Sequence, residues 1–238
     1  MELRQLTTDR ERQSFAKCLA EARSTRGAGF RETARSRLGK AHLAFGYLYA
    51  LFEDECDPPE RMLAGFGMHD LATLPQSYPT PDMSHLPAHS VLEGTELWSL
   101  SKGVAPIAAS AAAAVAGILQ ARAILVYPIC KPFDLSAPYT RFNFKPCEPV
   151  KFPYGQTNGG DEIWVRPMVL EGDKLEEYIR AGSDFLFRSH PDHGGLQFTI
   201  KSPAGLSSAV PRSEAVPVEN PPTSHSHHGD ERNGSAAA

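Results

Sequence analysis

The 238-residue chain has little of what marks a disulfide scaffold, a metal centre or a membrane span. Its four cysteines, Cys18, Cys56, Cys130 and Cys147, are dispersed without Cys-x-x-Cys spacing, and no signal peptide is read at the N-terminus. A disulfide framework or zinc site is therefore not expected, and a reducing, cytoplasmic setting fits best. Positive charge is not in excess either: the formal net charge is -4, which gives no global pull toward nucleic acid. The most apolar stretch, residues 104–129, is interrupted by Pro106, Gln120 and Arg122, and reads as a helix followed by a buried strand rather than a span. His69-Asp70 has no accompanying Gly-x-Ser-x-Gly elbow, so a hydrolytic triad is not expected. His190, His193 and the tail histidines His225, His227 and His228 lie in Gly- and Pro-rich sequence without groups to orient them, and no metal is expected there.

What is present is an alternation of strand-like and helix-like segments. Residues 2–6 read as a strand, after which Thr7, Thr8 or Asp9 caps a helix with Phe15, Leu19 and Ala22 on one face. Two apolar stretches, 42–53 and 61–74, flank Asp57-Pro-Pro-Glu60 and predict a β-hairpin, with Gly65 and Gly67 marking a bulge or a close approach of backbone. Four prolines, Pro75, Pro79, Pro81 and Pro87, stiffen the loop after this hairpin. Residues 91–100 read as a strand, 107–121 as an Ala-rich helix and 123–129 as a buried strand, which together make a βαβ unit. A last strand is expected over 163–170 and a short helix over 173–181. The folded domain is expected to span 1–201, and residues 202–238, rich in Ser, Pro, Glu and Ala, read as a disordered tail.

Local charge departs from the global balance between residues 23 and 40. Arg23, Arg26, Arg31, Arg35, Arg37 and Lys40 face a single acid there, Glu32. Such a run reads either as a solvated face or as a docking surface for an acidic partner or phosphates.

The most informative segment is Ala123-Ile-Leu-Val-Tyr-Pro-Ile followed by Tyr139-Thr-Arg-Phe-Asn-Phe-Lys-Pro. It reads as a buried strand, a helical turn carrying a phenol, and a second strand whose Phe142 and Phe144 alternate into the core. This segment resembles the C-terminal half of the GCN5-related N-acyltransferase (GNAT) superfamily, whose usual pattern there is Tyr-x-x-x-Gly-Phe. Asn143 stands at the glycine position, and Asn tolerates positive φ better than most residues. Glu2-Leu-Arg-Gln-Leu is similar to that family's first strand, and the order of elements matches it over residues 1–171. Glu96-Leu-Trp-Ser-Leu also resembles the corresponding strand of acyl-homoserine lactone and N-acyl amino acid synthases.

The resemblance implies an α/β fold with a mixed, mostly antiparallel sheet flanked by helices, in which two parallel neighbours splay apart. It implies transfer of an acyl group from a pantetheine thioester, acyl-CoA or acyl carrier protein, to a small-molecule amine. Tyr139 would be the acid that protonates the leaving sulfur, and Glu96 would accept the amine proton. Trp98, Ser99, Leu100, Ser101, Lys102 and Gly103 would line the donor. The family's glycine-rich Arg/Gln-x-x-Gly-x-Gly/Ala loop is absent after Leu100, where only Lys102 and Gly103 remain as phosphate contacts. A carrier-protein donor, with its single phosphate and an acidic surface suited to the 23–40 stretch, would ask less of that loop. The alternative is a non-catalytic binding module that keeps the scaffold.

Overall fold

The computed structural model describes residues 1–25, 47–53, 62–74, 79–148, 151–157, 159–189 and 197–199. The basic stretch from Arg26 onward, Cys56, the histidines at 190 and 193 and the 202–238 tail lie outside the described residues.

Strand β1 (Glu2–Gln5) leads into α1 (Asp9–Thr25) through a reciprocal cap. The Thr8 hydroxyl accepts from the Glu11 N–H at 3.2 Å, while the Glu11 carboxylate accepts from the Thr8 and Thr7 N–H groups at 2.9 and 3.0 Å. The expected hairpin is present as β2 (Tyr47–Phe52) and β3 (Met62–Asp70), which pair antiparallel. β4 (Val91–Ser99) returns antiparallel to β3.

Helix α2 (Val104–Ile118) begins three residues before the expected start at 107 and ends three before the expected 121. Pro106 marks the start too late, because a proline in the first turn removes only an N–H that has no intrahelical partner anyway. β5 (Ala123–Val126) then runs parallel to β4. β6 (Ile129–Lys131), α3 (Ala137–Arg141) and β7 (Lys145–Pro146) come next, and then the hairpin of β8 (Phe152–Gln156) and β9 (Glu162–Val165). The single strand expected over 163–170 is two strands, β9 and β10 (Met168–Glu171), in different sheets. Pro167 cannot donate to a ladder, and the chain changes sheets beside it. α4 (Gly172–Ser189) is twice the length expected, and β11 (Gln197–Thr199) closes the described chain.

The main sheet has eight strands in the order β11-β1-β2-β3-β4-β5-β10-β7, with parallel pairs at β1/β11 and β4/β5 and antiparallel pairs elsewhere. A second sheet, β6-β9-β8, hangs from the end of β5. This mixed sheet with flanking helices is the architecture implied by the GNAT resemblance.

One face of the main sheet is covered by α2 and α4, over a core that includes Tyr49, Phe66, Met68, Leu92, Val115, Ile124 and Leu170. The alanines of α2 permit this closeness. A Cβ placed on Gly182 of α4 would lie 2.7 Å from the Ala113 Cβ and 3.0 Å from the Ser110 carbonyl. The other face carries two separate apolar clusters: Phe15, Leu19, Leu48, Phe52 and Trp98 under α1, and Leu71, Leu74, Val91, Ala123 and Leu125 toward β5.

Candidate functional site

The parallel pair β4/β5 is in register over three positions only, Val91 with Ala123, Leu92 with Ile124, and Glu93 with Leu125. Beyond Glu93, β4 continues to Ser99 with β3 as its one strand partner among the described residues, while β5 ends at Val126. The two strands part there, and beyond Glu93 no strand of the described residues lies along the β5 side of β4. At the vertex, a Cβ on Gly94 would meet the Val126 side chain at 3.2 Å.

Glu96 sits on this open edge as the extra residue of a β-bulge. Gly65 pairs with Trp98 and Gly67 with Thr95, so two steps on β3 match three on β4, and Glu96 takes φ 55°. A bulge of this kind twists the strand and re-aims its backbone groups out of the ladder. The glycine signal at 65 and 67 therefore marked a real irregularity, but the extra residue lies on the opposite strand. Gly65 is needed for space, since a Cβ there would lie 2.5 Å from the Phe15 ring and 2.8 Å from Trp98.

β4 delivers the chain to the N-terminus of α2. Ser99 donates its hydroxyl to the Ser101 carbonyl at 2.8 Å, and Gly103 at φ 85° turns the chain into the helix. No side chain caps this end and its first turn holds no acid. Lys102 and Gly103 are exposed beside it. The N–H groups of the first turn and the positive end of the helix favour an anion here. Trp98 differs from its neighbours: its indole is 3% exposed and packs edge-on against Phe15 at 5.3 Å. Its side chain belongs to the core under α1, not to a surface that could line a donor.

Tyr139 lies on α3, beyond β5 and β6 in the chain. Asp134 sets up the start of this helix by accepting from the Ser136 N–H at 2.8 Å and from its hydroxyl at 2.5 Å. The Tyr139 ring is half-buried, packed edge-on to Phe144 at 5.6 Å. Burial pushes its pKa above the usual phenol value of 10.0, so it holds its proton through the neutral range. Asn143 takes φ 66°, the left-handed conformation that its position in the Tyr-x-x-x-Gly-Phe pattern calls for. Phe144 is buried, whereas Phe142 closes the one-turn helix and is 43% exposed, not alternating into the core as expected. It rests on Tyr178 of α4 at 5.4 Å.

The sequence did not single out a buried polar cluster beside the wedge. His69 is 1% exposed and Glu93 is 0% exposed. They are directly opposite each other on β3 and β4, and His69 Nε2 lies 2.7 Å from the Thr95 hydroxyl. The missed signal was polar residues at 69, 93 and 95 in strands otherwise apolar on their buried sides. Asp70 is separate: its carboxylate caps the turn at Leu71–Thr73 and meets His89 Nδ1 at 2.7 Å. Among the described residues no group of three His, Cys, Asp or Glu side chains could hold a metal ion. No described helix is long and apolar enough to cross a membrane.

No family profile and no curated protein matches the chain. Among solved structures it is similar to FeeM, an N-acyl amino acid synthase from uncultured soil microbes, with 15% identity, a TM-score of 0.48 and coverage of 74% of this chain and 90% of that one. It is likewise similar to a Bacillus subtilis acetyltransferase in complex with CoA, at 12% identity and a TM-score of 0.46 over 72% and 98% of the two chains. A ribosomal-protein-alanine N-acetyltransferase from Brucella melitensis overlaps at 11% identity and a TM-score of 0.46, over 72% of this chain and all of its own.

Proposed function

We propose that the chain is a GNAT-type N-acyltransferase that moves an acyl group from a pantetheine thioester to a small-molecule amine. The observation that carries this reading is the β4/β5 wedge, closed over three residue pairs and then open beside the bare N-terminus of α2. A slender amide-bearing arm fits such an edge, because each amide of the arm can replace the missing ladder partner of a strand N–H or C=O. The N-terminus of α2, with Ser101, Lys102 and Gly103, receives the donor's phosphate, and Ser99 and Leu100 line the approach through their backbone. Coenzyme A and a carrier protein present the same arm. The cations of residues 23–40 are the proposed docking surface for the acidic carrier.

In this reading β4 N–H groups re-aimed by the bulge stabilise the oxyanion that forms when the amine attacks the thioester carbonyl. Tyr139 donates its proton to the departing sulfur, a role for which a raised pKa keeps it loaded. Glu96 accepts the proton that nitrogen loses as the amide forms, directly or through water.

The test is release of free thiol from acetyl-coenzyme A and from acetylated carrier protein in the presence of a panel of primary amines. Tyr139→Phe lowers turnover by about 10²-fold or more at unchanged donor affinity. Unchanged turnover removes Tyr139 from the role. Absence of thiol release from both donors, with the arm still bound, leaves the scaffold as a binding module.

A further inference from the structure

An ammonium ion gives up two protons on its way to an amide, one to free the lone pair and one as the C–N bond is completed. Glu96, as the proposed acyltransferase uses it, takes only the second, and a taker for the first is needed if the chain is such an enzyme.

His69, Glu93 and Thr95 occupy one face of the sheet, between its two apolar clusters. The alternate residues Ala64, Phe66, Met68 and Leu92 point to the opposite core. Gly67 is the floor of this group: a Cβ there would lie 2.5 Å from the Thr95 hydroxyl and 2.8 Å from His69 Nε2. The missing side chain is what lets the imidazole reach across to Thr95. His69 and Glu93 are paired directly across the two strands, and cross-strand neighbours so placed have Cβ atoms roughly 4.5–5.5 Å apart, so the two side chains rise side by side from this face. Two apolar side chains of similar volume would join the clusters at lower desolvation cost, so stability does not explain the pair. Of the three, Thr95 alone is more than marginally accessible, and it precedes the bulged Glu96 on the open strand. Glu93 is the last β4 residue paired with β5, which puts the group at the vertex of the wedge.

We infer that Thr95, His69 and Glu93 form a relay that takes the first proton of an ammonium acceptor seated in the wedge, an inference that rests on the acyltransferase reading. Thr95 is the group that touches the substrate, and His69 and Glu93 act through it as positioning residues. The Thr95 hydroxyl accepts a proton from the ammonium nitrogen as it passes its own to His69 Nε2. The imidazolium so formed is stabilised by the facing Glu93 carboxylate. The neutral amine then adds to the thioester carbonyl, forming the C–N bond as the carbonyl π pair moves to oxygen, and collapse of that oxyanion breaks the C–S bond. Tyr139 gives one proton to sulfur, Glu96 takes the second from nitrogen, and solvent exchange restores all three.

The relay requires neutral His69 to carry its proton on Nδ1, leaving Nε2 as the acceptor. Nitrogen NMR of the ring in the free chain reads this directly. A bare Nε2, perturbed in Thr95→Val, is expected; a proton resident on Nε2, or a permanently charged ring, overturns the relay whether or not acyl transfer is observed. In the kinetic arm, acetyl-coenzyme A is paired with propylamine, protonated at neutral pH, or with trifluoroethylamine, largely neutral there. His69→Gln lowers thiol release by about 100-fold with propylamine and by about fivefold or less with trifluoroethylamine. Equal losses with the two amines assign His69 a structural role and overturn the proposal. Thr95→Val, which keeps the side-chain shape, repeats the comparison if His69→Gln does not fold. Thiol release with neither amine would count against the acyltransferase reading, and the NMR result still decides the relay.

Discussion

The two faces of the main sheet are built differently. Under α2 and α4 the surface is continuous and apolar, and small residues bring the helices close enough that Gly182 nearly touches Ala113. The opposite face is divided, with an aromatic cluster under α1 at one side, a smaller cluster toward β5 at the other, and His69, Glu93 and Thr95 between them. The continuous face supplies cohesion. The divided face leaves a polar group at the point where β4 and β5 part, so chemistry can be placed there without opening the main core.

Substitutions sharpen this contrast. The largest stability loss on the divided face is expected for Phe15→Ala, which empties the position against Trp98 and Gly65 and costs about 3–5 kcal/mol; chemical denaturation measures it. On the continuous face Gly182→Val costs about 3 kcal/mol, because the opposing Ser110 carbonyl and Ala113 Cβ cannot rotate away. This variant retains thiol release per folded molecule, which would fail if the α2/α4 face carried the chemistry.

Glu11→Ala is the smallest change, a loss of about 1 kcal/mol at neutral pH from the cap of α1. Burial raises the Glu11 pKa, but hydrogen bonds from Thr8 and Thr7 and the charge of Arg4 outweigh it, so the net shift is below the ordinary 4.5. A lowered folded-state pKa means the stabilisation is complete above about 4.5 and is lost as pH falls through the lower folded value. Denaturation midpoints of wild type and Glu11→Ala should therefore converge below that range.

Much of the frame was legible in the sequence because it rests on local rules. A cap within Thr7–Asp9, the hairpin across Asp57-Pro-Pro-Glu60, the βαβ unit and the left-handed Asn143 all come from residue type and spacing, while the return of Glu11 to the Thr7 and Thr8 N–H groups was not read. Tyr139 was singled out because its surroundings form a pattern along the chain. The His69, Glu93 and Thr95 cluster was not found, because residues 26 positions apart become neighbours only through strand register. Trp98 was given to the donor site by resemblance alone, whereas the bulge at Glu96, which resets the alternation of β4 and turns the indole under α1, arises from strand pairing and not from residue spacing. The break at Pro167 was hidden by apolar residues on both sides that suit either sheet.

The central claim is that the opening between β4 and β5 receives a pantetheine arm, and thermal unfolding with and without the arm tests it most directly. Acetyl-coenzyme A or acetylated carrier protein at about 100 times its dissociation constant should stabilise the chain by about 2.7 kcal/mol. For a domain of this size that is a rise of roughly 5–10 °C in Tm. A melting temperature unmoved by either donor at millimolar concentration would contradict the account.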